Sequence, residues 1–516
     1  MPRRRLSIAT LPAGLTGPAR GPALDPETLS IGIVHFGVGA FHRSHQAVFT
    51  EDAAAATGDT RWGILGVTGR SETVVRQLRP QDCLYGVLQK APGETSLRII
   101  GSLRDVASPS RDSARVLGAM ASPSTQIASL TITEKGYLRA PDGTIDLDLP
   151  AVQHDLEAIR SELGAERGLD GNEPSQTAIG LLVRGLARRY RTGGEPITVL
   201  SCDNVVHNGE MVKRVVLSLA EAVGDPAAGW LGWLQESVAY PSTMVDRITP
   251  AASPADHEEA FALLGLTDEA LVVAEPFSQW VIEDRFAGPR PAWERAGVIL
   301  TDDVTPFERA KLRVLNATHS LLAYVGVLAG FEDIAVAVSN DSLRETARRI
   351  IDDDILPTLD SAAGLDLGRY REEVLARFDN PVLAHTTLQV AMDGSQKLPN
   401  RLLGTVLDRL ADGHVPNGLA FIVAAWILFI ASTLEPGGPL LDDPLAERLQ
   451  AAVGSSRALG SVGGNVSDAA AVVARVFDLR EVFPDSLRDS EVFRAAVVSQ
   501  LTVVRDFVAA LRKEKE

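Results

Sequence analysis

The arrangement that most constrains the fold of this chain is a β-branched apolar run that ends in two glycines and passes straight into a helical segment. The run is 31-IGIVHF-36, the glycines are Gly37 and Gly39, and residues 40–56 have helical composition. A glycine turn between a strand and a helix lets the backbone approach a phosphate, because the free N–H groups and the dipole of the helix N-terminus favour negative charge. This order predicts a dinucleotide-binding turn at the start of an α/β domain. An ordinary strand–helix turn is the alternative, because the third glycine position of the fingerprint holds His42.

Further strands alternate with helical segments after this turn. Apolar runs that read as strands lie at 62–67, 127–133 and 197–204. Such alternation predicts an α/β fold with a mostly parallel sheet and helices on both faces. After about residue 290 the sequence changes to long helical stretches with few strands: 306–330, 341–357, 369–378, 417–433 and 487–513.

The chain therefore divides into three predicted parts. With 516 residues it is too long for one ordinary core. Residues 1–28 are rich in Pro, Gly and Ala, and we expect a leader that wraps the surface. A Rossmann-type dinucleotide-binding domain is predicted over 29–290, and an all-helical substrate and catalytic domain over 291–516.

Composition and charge exclude several classes of protein. A net charge of -17 gives no electrostatic footprint for nucleic acid. The longest apolar run, 419–431, is too short to span a bilayer, so no membrane partner is expected. The only cysteines are Cys83 and Cys202, which fits a reducing cytoplasm. Without an HExxH motif or a closely spaced His/Cys cluster, a zinc site has little support.

Residues near the glycine turn are the candidates for cofactor binding. Gly37, Gly39, Phe41 and His42 belong to the turn and the first helical turn after it. The second strand ends in 68-TGRSE-72, where an acidic residue would hold the ribose hydroxyls of the adenosine. Arg70 suits the 2′-phosphate of NADP and Glu72 suits the diol of NAD, so we expect NAD without excluding NADP.

Polar residues follow the third strand and the later one. These are 133-TEKGY-137, with Glu134 and Lys135, and 201-SCDN-204. Ligands of open α/β sheets lie outside the carboxyl ends of the strands, which is where we expect nicotinamide and substrate contacts. The alternative is that Asp203 and Asn204 only cap the next helix.

The stretch 311-KLRVLNATH-319 places polar heads on an otherwise apolar helix. On a regular helix Asn316 lies roughly 140° and His319 roughly 80° around the axis from Lys311, so all three can look into one cavity. A lysine in such a place can act as a base, because burial and nearby dipoles lower a lysine pKa. Glu308, one turn earlier, is a candidate to relay the proton, and a helix-surface carboxylate is its other interpretation.

Several segments together resemble the mannitol dehydrogenase family of polyol-specific long-chain dehydrogenases. The likeness covers most of the chain from about residue 28 to 400. The segments that show it are 33-IVHFGVGAFHRSHQA-47, 131-TITEKGY-137, 201-SCDNVVHNG-209, 243-TMVDRITP-250, 275-EPFSQWVIEDRF-286, 311-KLRVLNATHS-320 and 392-MDGSQKLP-399.

The resemblance implies a zinc-free, NAD(P)-dependent secondary-alcohol dehydrogenase. Its K-x4-N-x2-H motif falls on Lys311, Asn316 and His319. Lys311 would be the general base, and Asn316 with the matching Asn204 would hold the alkoxide. His319 would bind a substrate hydroxyl. Asp246 is another candidate by the same match, and a structural partner for the neighbouring arginine is its alternative.

The substrate of this type of enzyme is an open-chain polyol with its 2-ketose, as for D-mannitol and D-fructose. Mannitol-type members commonly have an Arg eight residues before the lysine of the DGS-x-K motif, whereas here Gln389 precedes Lys397. This resembles the fructuronate reductase branch, which interconverts D-mannonate and D-fructuronate. A neutral Gln is a poor anchor for a carboxylate, so both substrates stay open, with Lys397 or another cation as the anchor. We expect a monomer or small homo-oligomer.

Other classes are less well supported by the sequence. A short-chain dehydrogenase needs a Tyr-x-x-x-Lys pair, and no tyrosine here has Lys four residues on. A binding protein without activity would have lost the base or the oxyanion amides, yet all are present. A Schiff-base aldolase would use Lys311 without needing the glycine turn.

Overall fold

The computed structural model describes residues 3–15, 17–69, 71–164, 174–224, 228–360, 362, 365–383, 385–454 and 466–515. The chain forms two compact units, Met1–Thr305 and Pro306–Glu516. The predicted α/β class with a separate helical part is confirmed.

The first unit contains the strands of the protein. In chain order they are β1 (Ala19–Arg20), β2 (Ile31–Phe36), β3 (Gly63–Val67), β4 (Tyr85–Ala91), β5 (Glu94–Ile100), β6 (Leu103–Ala107), β7 (Ile127–Leu130), β8 (Ile197–Ser201), β9 (Val238–Ala239), β10 (Thr243–Asp246), β11 (Val272–Ala274), β12 (Gln279–Glu283) and β13 (Ile299–Thr301). They form sheets in the orders β6-β3-β2-β7-β8-β9, β1-β5-β4-β11 and β10-β12-β13.

The six-stranded sheet is parallel throughout and positions the glycine turn. Each neighbouring pair, from β6 with β3 to β8 with β9, runs in the same direction. The inner strands are buried on both faces, which explains their continuous apolar runs. The strands predicted at 31–36, 62–67, 127–133 and 197–204 are confirmed as β2, β3, β7 and β8. The last two end earlier, at Leu130 and Ser201, so their polar residues lie in loops.

Helices connect these strands on the faces of the sheet. Their bounds are Ala40–Ser44, Gln46–Thr57, Thr73–Leu78, Pro109–Ala121, Pro150–Gly164, Ala178–Thr192, Asn208–Val223, Ala228–Glu236 and Pro254–Leu264. The single helix predicted over 40–56 is interrupted at His45, whose φ and ψ are -120° and -88°. The imidazole of His45 is buried and forms a hydrogen bond with the carbonyl of Gln279.

The N-terminal segment that includes Arg5 and Ala23 makes contacts within the first unit. Arg5 forms a bridge with Thr267, and Leu6 is fully buried. β1 pairs in parallel with β5. The N–H of Ala23 donates to the buried carboxylate of Glu51 at 3.0 Å.

The second unit is helical. Its α-helices are Thr305–Ala310, Ala317–Ala329, Ile334–Ser339, Asp341–Ile350, Leu367–Phe378, Thr387–Ala391, Gly394–Leu398, Gly404–Ala411, Asn417–Ser432, Ala446–Val453, Val466–Phe477, Asp485–Arg488 and Glu491–Lys515. In the described part of this unit, π-helical segments that join some of them are Lys311–Asn316, Ile351–Ile355 and Pro399–Leu403. The first π segment packs against the other two.

Two apolar helices form the centre of this unit. Asn417–Ser432 is buried along nearly its whole length. Thr305–Ala329, taken through its π segment, is long and apolar enough to cross a bilayer, yet 78% of its most apolar window is buried inside the structure. That burial is typical of a core helix of a folded domain.

A short strand lies just before the boundary between the units. β13, at Ile299–Thr301, pairs in parallel with β12, which ties residues after 290 to the first unit. The first unit therefore ends at Thr305. A three-residue strand before a long helix has too weak a pattern to be recognised in the sequence.

The buried carboxylate of Glu51 offers a test of this packing. It accepts the N–H groups of Gly101 at 2.6 Å and Ser102 at 3.0 Å. Replacing Glu51 by Ala leaves these donors without an acceptor, so we expect a loss of about 3 kcal/mol in unfolding free energy, measured by urea denaturation. The neighbouring Asp52→Ala, which removes a part-exposed partner of Arg98, should cost less than about 1 kcal/mol. Equal losses in the two variants would contradict the structural role of Glu51.

Candidate functional site

The glycine turn has the geometry that a phosphate-binding turn requires. Gly37 has φ of +104°, and its N–H donates to the carbonyl of Val67 at 2.8 Å. A Cβ at this position would lie 2.0 Å from the carbonyl oxygen of Thr131. Only glycine allows both the left-handed backbone and this close approach between the ends of β2 and β7.

Gly39 shows where a dinucleotide would fit. Its φ of -75° suits any residue, and a Cβ there would meet no atom within 4 Å. The same open space surrounds Gly69 after β3. Glycine at Gly39 is thus not needed for the fold, whereas a pyrophosphate could approach its backbone closely. The residues present fit a dinucleotide cofactor, held by the backbone of the turn.

Two stacked histidines lie beneath the turn. The rings of His35 and His42 are 3.3 Å apart at an interplanar angle of 10°. His35 bonds the hydroxyls of Ser129 at 2.8 Å and Thr131 at 2.9 Å, and burial lowers its pKa to about 3. Burial, with the charge of His35, also lowers the pKa of His42 well below its usual value. Both rings are therefore neutral, and Nε2 of His42 is a buried atom with no hydrogen-bond partner within the described residues.

The side chains next to His42 make contacts within the first unit. Arg43 is buried, donates to the carbonyl of Ala270 and lies over the ring of Tyr85. His45 bonds the carbonyl of Gln279 at 2.8 Å, and Phe41 stacks on His45. These side chains hold the turn against its neighbours. Phe41 itself is half-buried at the turn.

A buried carboxylate joins the loops after β7 and β8. Asp203 accepts the N–H groups of Ile132 at 3.0 Å and Thr133 at 2.8 Å, and the hydroxyl of Tyr137 at 2.7 Å. These bonds hold Thr133 at φ of +66°. Burial raises the pKa of Asp203, although the hydrogen bonds oppose it. Asp203 is thus a positioning residue that the sequence presented only as a possible cap.

Three side chains predicted to meet ligands lie exposed on these loops. Glu134, Lys135 and Asn204 are exposed on the two loops. The capping alternative is wrong, because the next helix begins at Asn208 after His207. Asn204 stays in the loop, at the carboxyl end of the sheet.

Asn208 is a further positioning residue that sequence reasoning missed. Its amide donates to the carbonyls of Asp203 at 3.0 Å and Thr243 at 2.9 Å, and its oxygen accepts the N–H of Thr243 at 2.9 Å. It thereby ties the loop after β8 to β10. Asp246, at the end of β10, is buried. Its neighbour Arg247 donates to the carbonyls of Glu275 and Ser44.

In the second unit, the predicted polar residues lie on a locally rewound helix. Lys311–Asn316 is π-helical, and Ala317–Ala329 continues as an α-helix. Lys311, Asn316 and His319 have exposures of 6%, 7% and 9%, and Glu308 is also buried. The angles expected for a regular helix therefore do not apply. A π segment is rare and often marks a functional site.

A group of cations surrounds His319. Its ring lies 4.9 Å from that of His385, and burial, with the charges of His385, Arg401, Lys397 and Arg377, lowers its pKa well below the usual value. A neutral His319 has one nitrogen to donate and one to accept. Its Nε2 has no hydrogen-bond partner in the part of the chain that the structure describes.

Lys397 and Arg401 are close enough to influence each other. Burial, with the charge of Arg401, lowers the pKa of Lys397 to about 8. Lys397 donates to the carbonyl of Val390 at 3.1 Å, and Arg401 donates to the hydroxyl of Ser320 at 3.1 Å. Across the described ranges, neither cation forms a salt bridge with a carboxylate. Arg401 could have been noticed in the sequence as the cation four residues after Lys397.

The remaining predicted binding residues are Gln389 and Arg70. Gln389 is exposed on the short helix Thr387–Ala391, and its N–H donates to the hydroxyl of Thr386 at 3.2 Å. Arg70 lies outside the described residues. Among the residues that are described, no group of three or more His, Cys, Asp or Glu side chains could hold a metal ion.

Comparison with known proteins identifies the class. Residues 31–295 match the mannitol dehydrogenase Rossmann domain, and residues 303–504 match the mannitol dehydrogenase C-terminal domain. The chain belongs to the mannitol dehydrogenase family and is an oxidoreductase, as the resemblance implied.

Individual relatives span nearly the whole chain. D-mannonate oxidoreductase of Escherichia coli (strain K12) is 42% identical over 437 residues, which is 83% of this chain and 86% of the relative. Polyol:NADP oxidoreductase of Gluconobacter oxydans (strain 621H) is 37% identical over 84% of this chain and 86% of the relative. The solved ternary complex of Pseudomonas fluorescens mannitol 2-dehydrogenase with NAD and D-mannitol has a TM-score of 0.81 at 33% identity, covering 99% of each chain.

The two glycines of the turn give a matched pair of variants. Gly37→Ala forces a left-handed Cβ against Thr131, so we expect a loss of at least about 2 kcal/mol in stability. Gly39→Ala should leave the melting temperature within about 2 °C, because its Cβ enters open space, yet weaken NADH binding about tenfold. Thermal unfolding and NADH titration measure the two effects. Unchanged NADH binding in Gly39→Ala would show that the cofactor does not approach this backbone.

Proposed function

We propose that the chain is an NAD(P)-dependent secondary-alcohol dehydrogenase that interconverts an open-chain polyol and its 2-ketose, of the D-mannitol/D-fructose type. NAD is the expected cofactor, and NADP is an alternative. The observation that carries the proposal is the burial of Lys311, Asn316 and His319 on one helix that is π-helical between the first two. A relative of known structure binds NAD and D-mannitol, which supports the same choice.

The proposed chemistry needs one base and donors for the oxygen that becomes negative. The bound nicotinamide supplies the site that accepts the hydride from the alcohol carbon. The amine of Lys311 is proposed to take the hydroxyl proton, so that the carbonyl forms as the C–H and O–H bonds break. The amides of Asn316 and Asn204 are assigned to the developing alkoxide, because fixed donors stabilise that charge without reorganising.

The remaining residues are assigned to proton release and substrate binding. Glu308, one turn before Lys311, is proposed to pass the proton towards solvent, and Asp246 is a further candidate in the first unit. Nε2 of His319 is proposed to bind a substrate hydroxyl, because it is buried without a hydrogen-bond partner among the described residues. Glu134 and Lys135 are proposed cofactor contacts.

A lysine variant tests the assignment of the base. Lys311→Ala should lower kcat by about 10³-fold, since general base catalysis contributes about 10²–10⁴-fold, while the NADH dissociation constant changes little. Added methylamine should restore part of the rate if only the amine is missing. Rates close to those of the unaltered protein would remove Lys311 as the base, and unchanged NADH binding excludes misfolding as the cause of a loss.

A sugar acid is the second candidate substrate, and the cations around His319 favour it. Lys397 and Arg401 are at least half-buried without a carboxylate partner in the described part of the chain. Cations in such a place are most stable beside an anion. The carboxylate of D-mannonate or D-fructuronate would supply that anion without needing an arginine at Gln389. The 42% identity to D-mannonate oxidoreductase supports the same substrate.

Assays with paired substrates separate these two candidates. Purified protein is tested with D-mannitol and D-mannonate plus NAD, then with D-fructose and D-fructuronate plus NADH, and again with the NADP pair. Turnover of mannitol and fructose alone supports the polyol assignment. Turnover of mannonate and fructuronate alone contradicts the polyol assignment and supports a sugar acid as the substrate.

The pKa of Lys397 predicts how a sugar acid would behave with pH. The ammonium is charged below its pKa of about 8 and neutral above it. A carboxylate binds the charged form, so KM for D-mannonate should be flat below about pH 8 and rise by up to about tenfold per unit above it. KM for D-mannitol should show no such rise, and Lys397→Gln should remove it for mannonate. An equal rise for both substrates would exclude Lys397 as the carboxylate contact.

We further propose that the protein is cytoplasmic and metal-independent and acts as a monomer or small homo-oligomer on these small molecules. Activity that survives dialysis against EDTA would support the metal-free assignment.

A further inference from the structure

An ion pair lies beyond the end of β3, near the place where a Rossmann-type fold holds the adenosine ribose. The carboxylate Oε1 of Glu72 is 2.9 Å from Nε of Arg111, and the hydroxyl of Ser110 donates to the same oxygen at 3.3 Å. Arg111 lies in the helix after β6, which is the neighbour of β3. The N–H of Thr68 donates to the carbonyl of Ala107 at 2.9 Å, so the two strand ends are joined.

The partners of this pair differ in exposure. The side chain of Glu72 is 25% exposed and that of Arg111 is 72% exposed. Other arginines nearby are bound to carboxylates of β6 or of the helix that follows it. Arg79 donates to Asp112 at 2.6 Å, and Arg115 pairs with Asp105. Among the described residues, Arg111 is therefore the arginine that pairs with the acid near the ribose position.

We propose that Glu72 and Arg111 together determine the choice between NAD and NADP, and allow the protein to use both. The inference rests on the proposed use of a nicotinamide dinucleotide. With NAD, Glu72 accepts the ribose hydroxyls while Arg111 stays paired with it. With NADP, Arg111 stays beside Glu72 and also binds the 2′-phosphate, so its positive charge lies between the two anions.

The opposite charges of Glu72 and Arg111 explain why neither residue alone would allow both NAD and NADP to bind. An unpaired Glu72 would repel a 2′-phosphate, which is why an acid at this position selects NAD. An ion pair with Arg111 offsets that repulsion. Because Arg111 is largely exposed, its guanidinium loses little desolvation energy or order when it also contacts a phosphate, and its remaining N–H groups suit phosphate oxygens.

The test measures binding of NADH and NADPH directly, by quenching of protein fluorescence without substrate. Arg111→Gln removes the phosphate contact and leaves Glu72 unpaired, so NADPH should bind at least about tenfold more weakly while NADH changes less than about threefold. Glu72→Gln should act in the opposite sense, weakening NADH and tightening NADPH. Arg111→Lys, which keeps the charge but not the fork, should recover part of the NADPH affinity.

A distant arginine serves as the control. Arg160 donates to the carbonyl of Val223 at the end of the helix that follows β8, and therefore lies at the opposite edge of the sheet. Arg160→Gln should leave the ratio of the two dissociation constants unchanged. Equal effects of Arg111→Gln on NADH and NADPH, or no effect on either, would overturn the inference. If neither dinucleotide binds the unaltered protein, it is the proposed function that fails.

Discussion

The carboxylate of Asp203 is the interaction on which the polar edge of the first unit depends. Parallel strands β7 and β8 bring their carboxyl ends together, but their loops have no ladder to hold them. Asp203 supplies that link by accepting two backbone N–H groups and the Tyr137 hydroxyl. An unsatisfied carboxylate or backbone donor buried there would cost several kcal/mol, so the link is maintained. Because the buried carboxylate holds these loops together, Glu134, Lys135 and Asn204 are presented at their surface.

In the second unit, two partly buried cations lie close to each other and to His319. Lys397 and Arg401 lie close together, and the low pKa of His319 keeps that ring from adding a further charge. The hydroxyl of Ser320 and backbone carbonyls take the hydrogen bonds of these cations. Neutral acceptors satisfy the donors without cancelling the charge. Two cations thus lie near an uncharged imidazole, with the charges of Asp393, Asp442 and Asp443 acting on Lys397 from nearby.

Much of this arrangement could be predicted from the sequence, for identifiable reasons. Strong apolar runs with glycine after them predicted β2, β3, β7 and β8, and the family motifs placed Lys311, Asn316 and His319 on one helix. The interruption at His45 and the π segment at 311–316 could not be predicted, because helix-forming composition does not report local winding. Nor could the sequence separate a capping Asp203 from a loop-joining one, since the same carboxylate serves either purpose. The role of Arg401 depends on its spatial neighbours in the fold, which the sequence does not give.

The π-helical segment at Lys311–Asn316 has a consequence for how such enzymes diverge. A π turn contains one residue more than an α turn, so it is in effect a single-residue insertion absorbed within a continuous helix. The apolar face after Ala317 keeps its register in the core, whereas residues before Lys311 are rotated by about 100° relative to a regular helix. Gain or loss of one residue here would turn Glu308 and its neighbours without repacking the rest of the bundle. The direction of the polar side chains can therefore change without a change in the stability of the domain that holds them.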